Sequence, residues 1–208
     1  MELSMILSWQ LFKGKDGITM ANRVFFTADH HFCHAGIIIH CRRPYSNTWE
    51  MDESMIELWN SVVGKNDAIY HLGDFAWRNL QRTEEILRRL NGRKYLCLGS
   101  HDKDILKLAR YFEEIRESFL INVSNTQQVF LNHYLHKIWP KSHYGSWHLF
   151  GHSHGRMDNY ASTEGKLLDV GVDSHFFYPW SLEEVTKVMG DRPLNFNDLR
   201  RRKTKRSK

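Results

Sequence analysis

Five short stretches gather aspartate and histidine in patterns suited to holding cations. They are Asp29-His30-His31, Gly73-Asp74, Gly99-Ser100-His101-Asp102, a lone His133, and Gly151-His152-Ser153-His154. Carboxylates and imidazoles without cysteine suit Mn, Fe, Zn, Ni or Co better than Ca or Mg alone. The chain holds 13 histidines, an excess that points to metal or acid–base work. Singly, the pieces say little: Asp-x-His is weak, Gly-Asp is nearly uninformative, and Gly-His-x-His is moderate. The signal lies in the ordered set, because each piece follows a β-like run.

Those runs must therefore bring the side chains together. Apolar, β-rich stretches at 23–27, 68–72 and 94–98 alternate with helical patterns at 51–63, 83–90 and 104–111. Met51, Met55, Leu58, Trp59 and Val62 recur at helical spacing, with Asn47 or Thr48 as the cap and Gly64 as the stop. Asn91-Gly92 ends the second helix, and Arg42-Arg43-Pro44-Tyr45 reads as irregular chain. Further on, 119–123 and 128–132 form a hairpin around Ser124-Asn125. Strands follow at 147–150 and 167–172. Ser181-Leu182-Glu183-Glu184 is a capping box opening a helix that stops at Gly190. The first half thus reads as a parallel α/β sheet and the second as mainly β. The fold class is α/β, with two mixed sheets packed as a sandwich and helices on both sides. Sites in such sheets gather at the carboxyl ends of strands.

Composition sets bounds. The chain has 208 residues, 41% hydrophobic and 25% charged, which suits one globular domain with a sizeable core. We divide it into an N-terminal extension (1–19, with a short edge strand at 6–12), a domain (20–195) and a basic C-terminal tail (196–208). The net charge of +5 comes from the end of that tail: from Arg200 onward stand Arg200, Arg201, Arg202, Lys203, Lys205, Arg206 and Lys208 and no acidic residue. Such a tail is a solvated terminus or a sequence-independent hold on nucleic acid. Cys33, Cys41 and Cys97 are scattered and odd in number, which argues for a reducing, cytoplasmic compartment. No stretch reaches the roughly 18 apolar residues of a membrane helix. The apolar run after Glu2 lacks the basic lead-in of a signal peptide.

With these pieces in order, residues 23–185 resemble the calcineurin-like metallophosphoesterases, in particular small bacterial and phage members without a cap domain. The resemblance implies a four-layer sandwich and two divalent cations, Mn2+ first, bridged by Asp74. One ion would take Asp29, His31, Asp74 and His154. The other would take Asp74, the residue at position 100, His133 and His152. The family has Asn at that position and this chain has Ser100, whose hydroxyl is a shorter and weaker donor, so the second ion is expected to bind less tightly. Two ions about 3.5–4 Å apart clamp a phosphate and acidify a bridging water, which attacks phosphorus. His101 is the candidate proton donor to the leaving oxygen, and Asp102 the residue that orients it. Arg42, Arg43 and His34 are placed by their loop for substrate contact. The expected activity is hydrolysis of phosphate esters, diesters before others, with nucleotide or nucleic acid among the partners. Two rivals stand beside it: a metal-binding scaffold weakened by Ser100, and a nuclease using the tail. The remaining histidines read as structural: His71 inside a strand, His30 at the surface or behind the ligands, and His136, His143 and His148 in loops.

Overall fold

A computed structural model describes residues 23–199. The edge strand expected at 6–12 and the basic run from Arg200 onward lie outside the described residues. The first sheet has the order β4-β3-β2-β1-β9, built from β1 (Val24–Thr27), β2 (Ala68–His71), β3 (Arg93–Cys97), β4 (Glu114–Arg116) and β9 (Trp180–Ser181). Its first four strands are parallel, and β9 returns antiparallel to β1. The second sheet has the order β5-β6-β7-β8, from β5 (Ser118–Asn122), β6 (Gln128–Asn132), β7 (Trp147–Phe150) and β8 (Leu167–Asp169). The expected hairpin is β5–β6. Beyond it the pairing turns parallel, so this half is a mixed sheet with crossovers of its own.

Three apolar cores hold these parts together. Phe26 and Cys97 of the first sheet, with Leu72 just past β2, meet Phe119, Leu131 and Leu149 of the second, with Val185 and Met189 from α5 (Leu182–Asp191) beside them. On the opposite face of the first sheet, Phe25, Ile69 and Leu96 pack with α2 (Thr48–Val62) and α3 (Leu80–Arg89) through Met51, Met55, Trp59, Ile86 and Leu87. The outer face of the second sheet packs Phe130, Phe150 and Leu167 against Ala161 of α4 (Asp158–Glu164). Fully burying side chains such as Trp59 and Met55 stabilises the fold by about 1.5–3 kcal/mol apiece.

Local chemistry sets the helix ends. The Asn47 side chain accepts from the Glu50 N–H, and the Glu50 carboxylate reaches back to the Ser46 N–H, so α2 begins at Thr48. Asn79 caps α3 in the same way, three residues before the apolar periodicity shows. The stretch expected as a helix at 104–111 is a 3-10 helix from Asp102 to Tyr111. Ser181 and Glu184 form the expected capping box, but α5 runs through Gly190 to Asp191. Four short elements lacked a periodic signal: α1 (Ala35–His40), β4, α4 and β9. Among the described residues no helix is long and apolar enough to cross a membrane.

Candidate functional site

Chain leaving the carboxyl ends of six strands converges on one place. β1 delivers Asp29 and His31, β2 Asp74, β3 Ser100 and His101, β6 His133, β7 His152 and His154, and β8 Asp173. Beyond β1 and β2 the two backbones stay bonded: Asp29 N–H donates to Gly73 O and His31 N–H to Asp74 O, both at 3.0 Å. Five of these side chains sit on left-handed backbone: Asp29 (φ 59°), His31 (51°), Asp74 (56°), His152 (67°) and His154 (48°). A non-glycine residue there costs on the order of 1–2 kcal/mol, and such strain clusters at working sites. Glycine makes the close approach feasible. A Cβ on Gly99 would stand 2.4 Å from both N and Oδ1 of Asp74, and one on Gly151 would stand 2.7 Å from Asp29 Oδ2.

The donors fall into overlapping groups whose atoms lie within 4.8 Å of one another: Asp29 with His31 and His154, His31 with Asp74 and His101, and Asp74 with His133 and His152. Asp29 Oδ2 accepts the His152 N–H at 2.8 Å. Asp29 Oδ1 and His31 Nε2 are buried with no hydrogen-bond partner. Asp74 Oδ1 accepts the His101 N–H at 2.8 Å, and Asp74 Oδ2 faces His133 Nε2 at 3.5 Å and His31 Nε2 at 3.6 Å. His133 donates Nδ1–H to Leu72 O at 2.7 Å, which leaves Nε2 to carry a lone pair into the group when the ring is neutral. Neither Asp29 nor Asp74 has a lysine or arginine partner among the described residues. Burying unpaired carboxylates is costly, and a divalent cation is the partner this His/Asp set fits.

The protonation states carry the same message. Burial pushes the Asp29 carboxyl up to about 8, against the pull of His133 and His154. Burial holds the His31 imidazole neutral, down at about 2. For Asp74, burial works against the charge, but His133 and the His101 N–H outweigh it and hold the carboxyl below the usual range. Burial also opposes a charge on His154, yet its hydrogen bond to Asp173 raises it to about 10. A cation must displace the protons on Asp29 and His154, so its affinity should climb at least about tenfold per pH unit between pH 6 and 8. Calorimetry in buffers of different ionisation enthalpy reads the released protons; affinity flat across that window would contradict the assignment.

Several expected roles change. Asp102 does not orient the His101 ring. Its carboxylate is buried and accepts from the N–H groups of Asp74 (2.8 Å), Phe75 (2.9 Å) and Gly99 (2.7 Å), so it fixes the turn that presents Asp74. Arg43 is not free for substrate. Its side chain is fully buried, with Nη1 on His30 O (2.7 Å), Nη2 on Asp29 O (2.6 Å), and Nε and Nη2 on the two oxygens of Asp173 (2.9 and 2.8 Å). His34 stacks on Trp77 with centroids 4.4 Å apart and sits beside His31, and Arg42 is exposed. Ser100 Oγ lies 3.2 and 3.3 Å from the two Asp74 oxygens, so the hydroxyl donates to Asp74. His30 is wholly buried rather than at the surface, bonded through Nδ1 to His71 Nε2 at 3.0 Å. His148 lies within β7, buried, and its Nε2 accepts the His136 N–H. Burial and Asp52 push the Cys33 thiol up to about 12, which disfavours the reactive thiolate.

Two residues had gone unassigned. Asp173 accepts from His154 Nδ1 at 2.7 Å, the carboxylate–histidine arrangement that turns the other ring nitrogen toward a cation. The only sequence signal was a carboxylate soon after a strand. Trp77 meets the His101 ring edge-on, 4.8 Å between centroids; nothing in its spacing marked it.

The chain is 31% identical over 188 residues to the uncharacterized protein MJ1445 of Methanocaldococcus jannaschii, covering 85% of this chain and 98% of that one. The chain belongs to the family of that archaeal protein. No established family model matches it. The Gene 66 protein of Mycobacterium phage D29 is 26% identical, over 82% of this chain and 97% of its own. Among solved structures, protein AQ665 of Aquifex aeolicus, of unknown function, superposes with a TM-score of 0.66 at 24% identity, over 81% of this chain and all of that one, which places this family in the same fold. A predicted phosphoesterase of Streptococcus pneumoniae (TM-score 0.38, 19% identity, 73% of this chain and 72% of that one) and nuclease MPE of Pseudomonas putida (0.40, 18%, 63% and 61%) overlap too loosely to bear on the activity.

Proposed function

We propose that the chain is a metal-dependent phosphoesterase of the calcineurin-like four-layer type, acting on diesters before other esters. The observation that carries the reading is the pair of orphaned buried atoms, Asp29 Oδ1 and His31 Nε2, beside a second donor group that shares Asp74. Asp29, His31, Asp74 and His154 would hold one divalent cation, and Asp74, Ser100, His133 and His152 the other. When bound, the ions, Mn2+ first, would supply Lewis acidity toward phosphate oxygen and lower the pKa of water. The chain's own residues do the rest. Asp173 and Leu72 O fix the rings of His154 and His133. Asp102 holds the Asp74 turn. His101 stands at the rim, Nε2 3.9 Å from Asp74 Oδ2 with its side chain partly exposed, and gives its proton to the leaving oxygen. Trp77 and His31 brace that ring from two sides.

The test is metal counted per purified chain, together with hydrolysis of bis(p-nitrophenyl) phosphate in Mn2+. Up to two ions and metal-dependent turnover are expected; an apo protein that hydrolyses nothing at any Mn2+ concentration refutes the reading. A second reading, a scaffold with little turnover, is favoured by Ser100, whose hydroxyl is spent on Asp74. Ser100→Asn should tighten the weaker ion about tenfold and raise turnover, because an amide oxygen is a stronger neutral donor. No change in either would remove Ser100 from the argument.

A further inference from the structure

Beside the donor groups lies a cavity of about 500 Å3, lined among others by His154, Asp173, His40, Arg42, Arg156 and Phe177. Its size is that of a small-ligand pocket. His154 and Asp173 line its wall, and His154 is also a donor of the candidate metal site, so the two adjoin. The one carboxylate named in that wall, Asp173, is already matched by Arg43 and His154. The remaining charge is positive and unspent. Among the described residues the Arg42 guanidinium has no hydrogen-bond or ion-pair partner, and Arg156 Nη2 meets only His40 Nε2, at 3.1 Å, and no carboxylate. The lining is also strained. Arg42 sits at φ 52°, and Phe176 and Phe177 are consecutive aromatic residues at 50° and 67°. The Phe176 side chain is 85% exposed next to this wall in the chain. A bulky residue on left-handed backbone, offered to water, is the kind of cost kept where something binds.

We propose that this cavity is a subsite for a second phosphate. The preferred substrate is then an ester that carries another phosphoryl group beside the scissile one, gripped by the planar forks of Arg42 and Arg156. The inference rests on the phosphoesterase reading for the adjoining ions, and its test separates the two. Calorimetry on the full chain as purified compares thymidine 3′,5′-bisphosphate, thymidine 5′-monophosphate and the 5′-phosphorylated dinucleotide. At least about tenfold tighter binding of the bisphosphate than of the monophosphate is expected, a gap that Arg42→Ala/Arg156→Ala closes and Arg156→Lys alone narrows only in part. A gap seen only with the dinucleotide, and lost in the double variant, supports the proposal with the second phosphate belonging to a strand. Equal binding of all three ligands, or a preference that survives the double variant, overturns it. Binding is read without turnover. If wild-type protein fails to cleave the generic diester while the bisphosphate preference holds and needs both arginines, the hydrolase reading falls and the anion subsite stands.

Discussion

Asp74→Asn is expected to cut hydrolysis of a generic diester by at least about 10³-fold and to lower the bound metal from two ions toward one. The size follows from the charge removed. Lewis-acid stabilisation by bound ions is worth several kcal/mol, and each 1.36 kcal/mol is tenfold in rate. Asp74 is the one donor common to the group with His31 and the group with His133 and His152, so no neighbour replaces it. The substitution is nearly isosteric. Oriented with its carbonyl at the Oδ1 position, the amide still accepts the His101 N–H, and the Asp102 brace on the backbone is untouched. The fold should survive, and the thermal midpoint without metal should fall at neutral pH, since the charge that His133 and the His101 N–H stabilise has been removed. Metal analysis and initial rates on one preparation decide the matter. Unaltered metal content with an unaltered rate would mean that Asp74 is not shared between ions, and the dinuclear reading would fail.

The part of this site legible in the sequence is the part written as side-chain chemistry at strand ends. Asp29, Asp74, His133 and His152 each follow a short apolar run, and the structure places them together. What was illegible depends on contacts made only in three dimensions. Arg43 and Asp173 are 130 positions apart, so no local pattern joins them, and an arginine in a loop beside a candidate site invites a substrate role. Asp102 misleads in the opposite way. It is next to His101 in the chain, but the 3-10 helix that starts there turns its carboxylate inward to the Gly73–Phe75 backbone. His148 lies inside the strand expected at 147–150, so its place in β7 was legible and only the loop role assigned to it fails. The short elements α1 and β9 failed for want of length: β9 has two residues and is defined by its pairing with β1. The sheets themselves were readable because turn signals and β-rich runs agree along most of the chain.

Arg43→Met should destabilise the protein by about 3–5 kcal/mol, the cost of removing one partner from a buried ion pair. Methionine fills much of the arginine's volume, so little of the loss would be cavity. The loss comes from what is stranded: the carbonyls of Asp29 and His30, and an Asp173 carboxylate left with His154 as its remaining partner. The penalty should depend on pH with a definite sign. Burial disfavours the Asp173 charge, but His154 and Arg43 outweigh it and draw the carboxyl down from 3.8 to about 2. A depressed carboxylate contributes stability that is present above its unfolded value and lost as pH falls through the folded one. The difference between wild type and Arg43→Met should therefore be full near pH 6 and shrink between pH 4 and 2. Adding Asp173→Asn should recover part of the loss at pH 6, since no unpaired charge then remains. Denaturant midpoints for the four proteins in the cycle give the coupling directly. If Arg43 instead served substrate, the midpoints would coincide and only KM would rise. That outcome would return Arg43 to the rim of the site and leave the loop of Asp29 and His30 without its brace.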